Sequence, residues 1–161
     1  MFVQRSRLAH FYWLWEVKKM KSSDKEVKIS TSENWLSLYS FVRYLDNSSV
    51  KFSINAHSHF FEIKNFEFYS DTVLFKNFLG GLKEIYRNER KSVELSPAFE
   101  DDLIKILADD LGHIRIICEV YNHNVYKETC RLSFELDQTF LPNFIKDLEQ
   151  VYLELGFPIL G

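Results

Sequence analysis

The apolar residues of this chain change their spacing three times, and that pattern limits the folds open to it. Val50, Phe52, Ile54 and Ala56 alternate with Lys51, Ser53, Asn55 and His57, the period of two of a half-buried strand. Val27 and Ile29, and the stretch from Trp35 to Tyr44, alternate in the same way, and a short strand is expected over Phe60 to Ile63. Phe75, Phe78, Leu79, Leu82, Ile85 and Tyr86 then follow at spacings of three and four, one apolar stripe of a helix. Period two returns in Val93 and Leu95, in Ile104, Ile106 and Ala108, in Ile114, Ile116, Cys118 and Val120, and in Cys130, Leu132, Phe134 and Leu136. A second helical stripe closes the pattern with Leu141, Phe144, Ile145, Leu148, Val151, Tyr152 and Leu155. The order is strands, helix, strands, helix. The class is α+β: a mainly antiparallel sheet of about six to seven strands with two amphipathic helices packed on one face.

Local signals mark the boundaries. Ser32-Glu33-Asn34, Asp46-Asn47-Ser48-Ser49, Asp109-Asp110-Leu111-Gly112 and Asn122-His123-Asn124 read as turns. Such tight connections imply antiparallel pairing. Ser70 or Asp71 can cap the first helix. Pro142 fits the first turn of the last helix, and Gly156 and Pro158 stop it. Gly80-Gly81 sit inside the first helix, each at a cost of about 1 kcal/mol relative to Ala. Close approach of the helix backbone to the sheet would account for them.

A chain of 161 residues with 46% hydrophobic content is one domain's worth of sequence, large enough for a core without disulfide staples. Residues 1–25 read as an N-terminal extension, with 26–161 as the domain. The extension is basic, with Arg5, Arg7, Lys18, Lys19 and Lys21, and Met20 is a candidate translation start. A basic amphipathic helix at a membrane surface is its sharper reading, a peripheral helix its plainer one. No apolar run reaches the roughly 18–20 residues of a membrane span, and the N-terminal aromatic run lacks the features of a secretory signal. The expected location is cytoplasmic, with thiols reduced. The net charge is −3 and the pI about 6.0. A nucleic-acid binder would show a basic balance, so no direct nucleic-acid partner is expected.

The search for chemistry returns little. There is no nucleophile elbow, zinc-protease helix or phosphate-binding loop, and no catalytic residue, metal ligand set or cofactor is assigned. His57-x-His59 would place two imidazoles on one strand face, with no third ligand at convincing spacing; exposed strand-end histidines are the plainer reading. Cys118 and Cys130 fall opposite or next to each other if Tyr121 and Tyr126 flank the intervening loop. They read as buried thiols packing as small hydrophobes, with a redox pair as the alternative. Asn47-Ser48-Ser49 matches a glycosylation acceptor, without meaning in a cytosolic protein. Glu100, Asp101 and Asp102 precede one strand, and Asp109 and Asp110 follow it. They form a candidate anionic patch able to steer a basic partner, against the plainer reading of solvated strand ends. Phe99 and Tyr121 are candidate anchors beside it.

One family resemblance adds to this. Gly112-His113-Ile114, a strand, and then Phe134-Glu135-Leu136-Asp137-Gln138-Thr139-Phe140-Leu141-Pro142 leading into the last helix are similar to the WapI-like immunity proteins of bacteria. The Trp35 strand, the helix from Phe75 to Tyr86 and Glu94-Leu95 fit the same layout, over roughly residues 26–160. Trp35, Gly112, Asp137, Gln138, Thr139 and Pro142 carry the motif and read as structural, with Asp137 and Thr139 offering acceptors to helix-start amides. The resemblance implies a non-enzymatic antitoxin of a contact-dependent system. It would bind the toxic C-terminal domain of a secreted or wall-associated toxin, in WapI-type systems typically a nuclease acting on RNA. The alternative from the residues alone is a small enzyme or ligand-binding domain with a site in the sheet–helix cleft, lined by His57, His59 and His113. A weaker third is a scaffold subunit. Neither the oligomeric state nor the contact residues are fixed by the resemblance.

Overall fold

The computed structural model describes residues 19–97, 100–122 and 128–158. The basic residues Arg5, Arg7 and Lys18, the anchor candidate Phe99, and His123, Asn124 and Tyr126 lie outside them. The α+β class and the strands–helix–strands–helix order hold. The strands are nine among the described residues and form two antiparallel sheets, where six to seven strands in one sheet are expected.

The first sheet contains β1 (Met20–Ser23), β2 (Val27–Ser30), β3 (Trp35–Tyr44), β4 (Ser49–Ser58) and β5 (Phe61–Asp71). β1 and β2 pair with opposite ends of β3, through Ser23↔Phe41 and Val27↔Leu38. Residues 20–25 therefore belong to the domain: Ser23 donates its hydroxyl hydrogen to Glu154, and Lys25 pairs with Asp147 at 3.0 Å. The boundary drawn at residue 26 moves accordingly. β5 runs for eleven residues, well past the short strand expected from Phe60 to Ile63. Its alternation is broken where the pairing register shifts between Ile54 and Ala56 of β4, beside Asn65 at φ 52°. Asn55 Oδ1 accepts the Asn65 amide at 2.7 Å there, a bulge held by a side chain.

The second sheet is a regular meander of β6 (Ser92–Leu95), β7 (Leu103–Ala108), β8 (His113–Asn122) and β9 (Glu128–Asp137), without register shifts. Its alternation is as expected, with Ile104, Ile106, Ile114, Ile116, Cys118, Leu132 and Phe134 inward.

α1 (Thr72–Tyr86) begins at Asp71, whose carboxylate accepts the Val73 amide at 2.6 Å. Phe75, Phe78, Leu79, Leu82 and Ile85 are buried, whereas Tyr86 is 47% exposed and falls off the stripe expected to include it. A 3-10 turn (Gln138–Phe140) leads into α2 (Leu141–Glu154), with Pro142 in its first turn. Gly156 takes φ 76° at the helix end, and the Phe157 amide returns to the Tyr152 carbonyl.

Each helix packs across the division of the chain. α1 follows the first sheet and lies against β6 of the second; α2 follows the second sheet and lies against β1 and β2 of the first. This replaces the expectation of two helices on one face of one sheet. It also explains half of the glycine pair. A side chain on Gly81 would collide with Val93 of β6, whereas one on Gly80 would meet nothing within 4 Å. Phe75 reaches Phe41, Phe52 and Phe157 at ring separations of 6.2, 6.3 and 6.4 Å. One aromatic cluster thus joins the first sheet, α1 and the C-terminal segment, where Phe157 also stacks on Tyr152 at 4.3 Å.

Candidate interaction surface

The structure divides the five acidic candidates. Glu100 and Asp101 are exposed, but Asp102 is only 1% exposed. Its carboxylate accepts the Tyr121 amide at 2.8 Å, tying the chain before β7 to β8. Asp109 and Asp110 lie at the other end of β7, about 20 Å along a six-residue strand. Asp109 accepts the amides of Leu111 and His113 at 2.8 and 2.9 Å and meets the His113 ring at 2.9 Å. The His113 amide and ring hold its carboxyl below the ordinary carboxylate range, and Asp109 in turn raises His113. Asp110 pairs with Lys91 at 2.5 Å. These five residues therefore form no single patch: one is buried, and the others divide between the two ends of β7, where one organises a turn and one pairs with an exposed lysine. Tyr121 is half-buried and donates its phenolic hydrogen to Glu119.

The motif residues converge on internal contacts. The Gln138 amide donates to the Gly112 carbonyl at 2.8 Å, and Gln138 Nε2 donates to the Tyr86 carbonyl at 2.9 Å. Asp137 accepts the Thr139 amide at 2.8 Å, which holds its carboxyl below the usual range. Gly112 takes φ 85°. These contacts latch the β7–β8 turn, the end of α1 and the start of α2 together. Trp35 is different, because it stands half-exposed at the end of the first sheet.

That end gathers side chains that the fold does not cover. Trp35 and His57 are paired across β3 and β4 with rings stacked 6.1 Å apart. His57 Nδ1 meets the Glu33 carbonyl at 2.8 Å. A carbonyl only accepts, so Nδ1 carries the hydrogen and the Nε2 of a neutral ring is left to accept from a visitor. Lys28 lies 4.8 Å over the Trp35 ring. The β4–β5 turn beside them places His59 at φ 42°, Phe60 at 95% exposure and Phe61 at 57%. Ser58, immediately before, donates to the Ser133 carbonyl of β9 at 3.1 Å, which fixes the base of the turn against the second sheet. A shallow recess of about 470 Å³ is lined by Ser32, Glu33, Trp35, His57 and His59. His57 is in the strand and His59 in the turn, so the two imidazoles do not share a strand face. No group of three or more metal-binding side chains occurs among the described residues. Sequence reasoning missed Phe60 and Phe61 because exposed and buried phenylalanines look alike in a strand pattern. The missed signal was a hairpin turn with no Gly, Asn or Asp at its tip.

Cys118 sits opposite Leu132, and Cys130 opposite Val120, one diagonal step away. Both thiols are unbridged. Burial pushes Cys118 up to about 12, the property of an inert packing thiol. The space between helices and sheets is filled by apolar side chains, including Phe75, Phe78, Phe144 and Leu148. His57, His59 and His113 lie outside it, so the cleft that would have hosted a ligand site is occupied by core.

No helix among the described residues is long and apolar enough to cross a membrane. Among solved structures, the chain is similar to one titled "Crystal structures of trypanosoma bruciei MRP1/MRP2", at a TM-score of 0.48 and 12% identity, covering 95% of this chain and 97% of that one. A likeness at that level bears on neither mechanism nor partner. No curated protein matches the sequence. The family model described as "Immunity protein WapI-like family" matches residues 30–156, from the strand before Trp35 to the end of α2, and by that match over most of its length the chain belongs to the WapI-like immunity protein family.

Proposed function

We propose that this chain is an antitoxin that binds and neutralises a cognate toxin domain without catalysis, and that the exposed end of the first sheet is its contact surface. Family membership supports an immunity role. The observation that carries the location is Phe60, 95% exposed at the tip of a turn whose base is pinned. Large aromatic side chains presented rigidly are the residues that dominate the energy of protein interfaces. Trp35 and His57 beside them add a flat surface with a polar edge. In this reading the toxin is the C-terminal domain of a secreted, contact-delivered protein, a nuclease as in WapI-type systems, and neutralisation takes place in the producer's cytoplasm. Glu100 and Asp101 contribute to long-range attraction of a basic toxin, while Asp102 serves the fold.

Co-expression with a toxin domain, sought first in the neighbouring gene, tests the reading. Growth should be rescued by the native chain. It should be lost with Phe60→Ala/Phe61→Ala although that variant remains folded. Absence of rescue by the native chain would sink the antitoxin reading; rescue by the double variant would sink the location. Reversal of Glu100 and Asp101 to Lys should slow association and flatten its salt dependence, and an unchanged on-rate removes them from the encounter.

A further inference from the structure

The outer side of α1 carries a feature that neither packing nor the toxin reading uses. An open groove of about 560 Å³ runs along the helix and is lined by Lys76, Lys83, Arg87 and Arg90 against a single carboxylate, Glu84. This is a positive locale on a chain of net charge −3. A second recess adjoins it through Asn77 and Arg90 and extends it over Lys91 and β6. Several cations have neighbours: Arg90 meets Glu84 at 2.9 Å, Arg87 meets Glu89 at 2.9 Å, and Lys83 pairs with Glu149. The pairs of Arg90 and Arg87 are exposed and weak, whereas Lys83–Glu149 is half-buried and ties α1 to α2. Lys76 makes no ion pair among the described residues.

Gly80 lies between these cations. Glycine weakens a helix interior, and here the fold does not require it, because a side chain would meet nothing within 4 Å. Gly81 next to it is required by Val93, so the two adjacent glycines differ in cause. A glycine kept on an open, cation-lined helix face permits another chain to lie close against the helix backbone. From Lys76 to Arg87 the face is about 16 Å long, the length of about five extended residues.

We propose that this groove docks an acidic segment of a partner protein, with Gly80 left bare so that the segment can lie on the helix between Lys76 and Arg87. A peptide suits the site better than a nucleic acid. Glu84 and Glu89 are interleaved with the cations and repel a strand that carries a phosphate at every nucleotide, whereas a peptide can place its carboxylates selectively.

The test uses the full chain and a fluorescent eight-residue peptide in which glutamate alternates with serine, followed by anisotropy, with an eight-residue oligothymidylate run in parallel. Saturable binding of the peptide is expected, weakening with salt. Gly80→Leu fills the groove and should weaken binding at least about tenfold, equivalent to about 1.4 kcal/mol. Lys76→Glu/Arg87→Glu should abolish it. Gly80→Ala should match or exceed the native melting temperature, since the helix gains and nothing is struck. The proposal is overturned if the peptide does not bind saturably, if Gly80→Leu and the charge reversals bind as the native chain does, or if the oligothymidylate binds more tightly through the same residues. A fall in melting temperature for Gly80→Ala would show that the glycine serves the fold, and would overturn its assigned role.

Discussion

The turn between β7 and β8 is closed by its own side chains. Asp109 takes two amides and an imidazole, Gly112 supplies the positive φ, and the Gly112 carbonyl receives Gln138 from the next element. The turn between β4 and β5 joins two antiparallel strands as well, yet it puts a histidine where a positive φ is needed and two phenylalanines in water. The first turn follows the chemistry that favours its conformation. The second departs from that chemistry and leaves apolar area uncovered, the kind of local inconsistency that marks a functional site. The sheets behind them differ in the same sense. The outer face of the second is laced by cross-strand pairs such as Arg115–Glu135, Arg131–Glu119 and Lys105–Glu94. The first carries one such pair, Lys51–Glu67, and presents Trp35, Tyr39, Tyr69 and His57 on its outer side.

Four variants test this contrast. The largest effect is expected for Phe60→Ala/Phe61→Ala: a loss of toxin affinity of about 100-fold or more, near 3 kcal/mol, by calorimetry, with little change in melting temperature. Leu111→Ala, at a residue also exposed at a turn, 81%, should alter neither; a comparable loss there would erase the distinction. Next comes Gly112→Ala, which forces a side chain into φ 85° and should destabilise the fold by about 1–2 kcal/mol in urea unfolding. The mirror substitution, His59→Gly, relieves the same kind of strain at the cost of added chain entropy, and should stabilise by about 0.5 kcal/mol while weakening toxin binding. If His59→Gly destabilised, the histidine would be serving the fold after all.

The smallest effect concerns pH. His113 is raised above its ordinary 6.5 by its bond to Asp109, so its contribution is full below 6.5 and fades as pH rises through the shifted value. Asp109 is lowered from its ordinary 3.8, so its contribution is present above 3.8 and fades as pH falls through the shifted value. The turn should hold best in the window between those two ordinary values. NMR titration should show His113 returning toward 6.5 in Asp109→Asn, and an unmoved titration would show that the pair has no electrostatic consequence.

Much of this fold was legible from local rules. The inward sets of β4, β7, β8 and β9 follow from alternation, and Asp71 and Asp137 mark two helical starts. What was not legible depended on distant residues. Asp102 sits in an acidic run, and only the amide of Tyr121, nineteen positions on, reveals that it is interior. β5 reads as short because the bulge at Asn65 shifts its alternation partway. The division into two sheets has no local signature, since β3 to β5 and β6 to β9 each pair with their neighbours in sequence and nothing in β5 or β6 announces that those two do not. The exposed Phe60 and Phe61 of the proposed contact surface were hidden because apolar residues in a strand pattern are read as core.

The crossed helices also decide when this molecule can exist during its own synthesis. Strands β1 and β2 are covered by α2, the last of the described elements, and α1 has its seat on β6. A ribosome that has released the first sheet has released one whose β1–β2 end still awaits a helix some seventy residues further on. The domain therefore closes only once α2 has been made. A product cut before α2 would leave the apolar side of β1 and β2 open and adhesive.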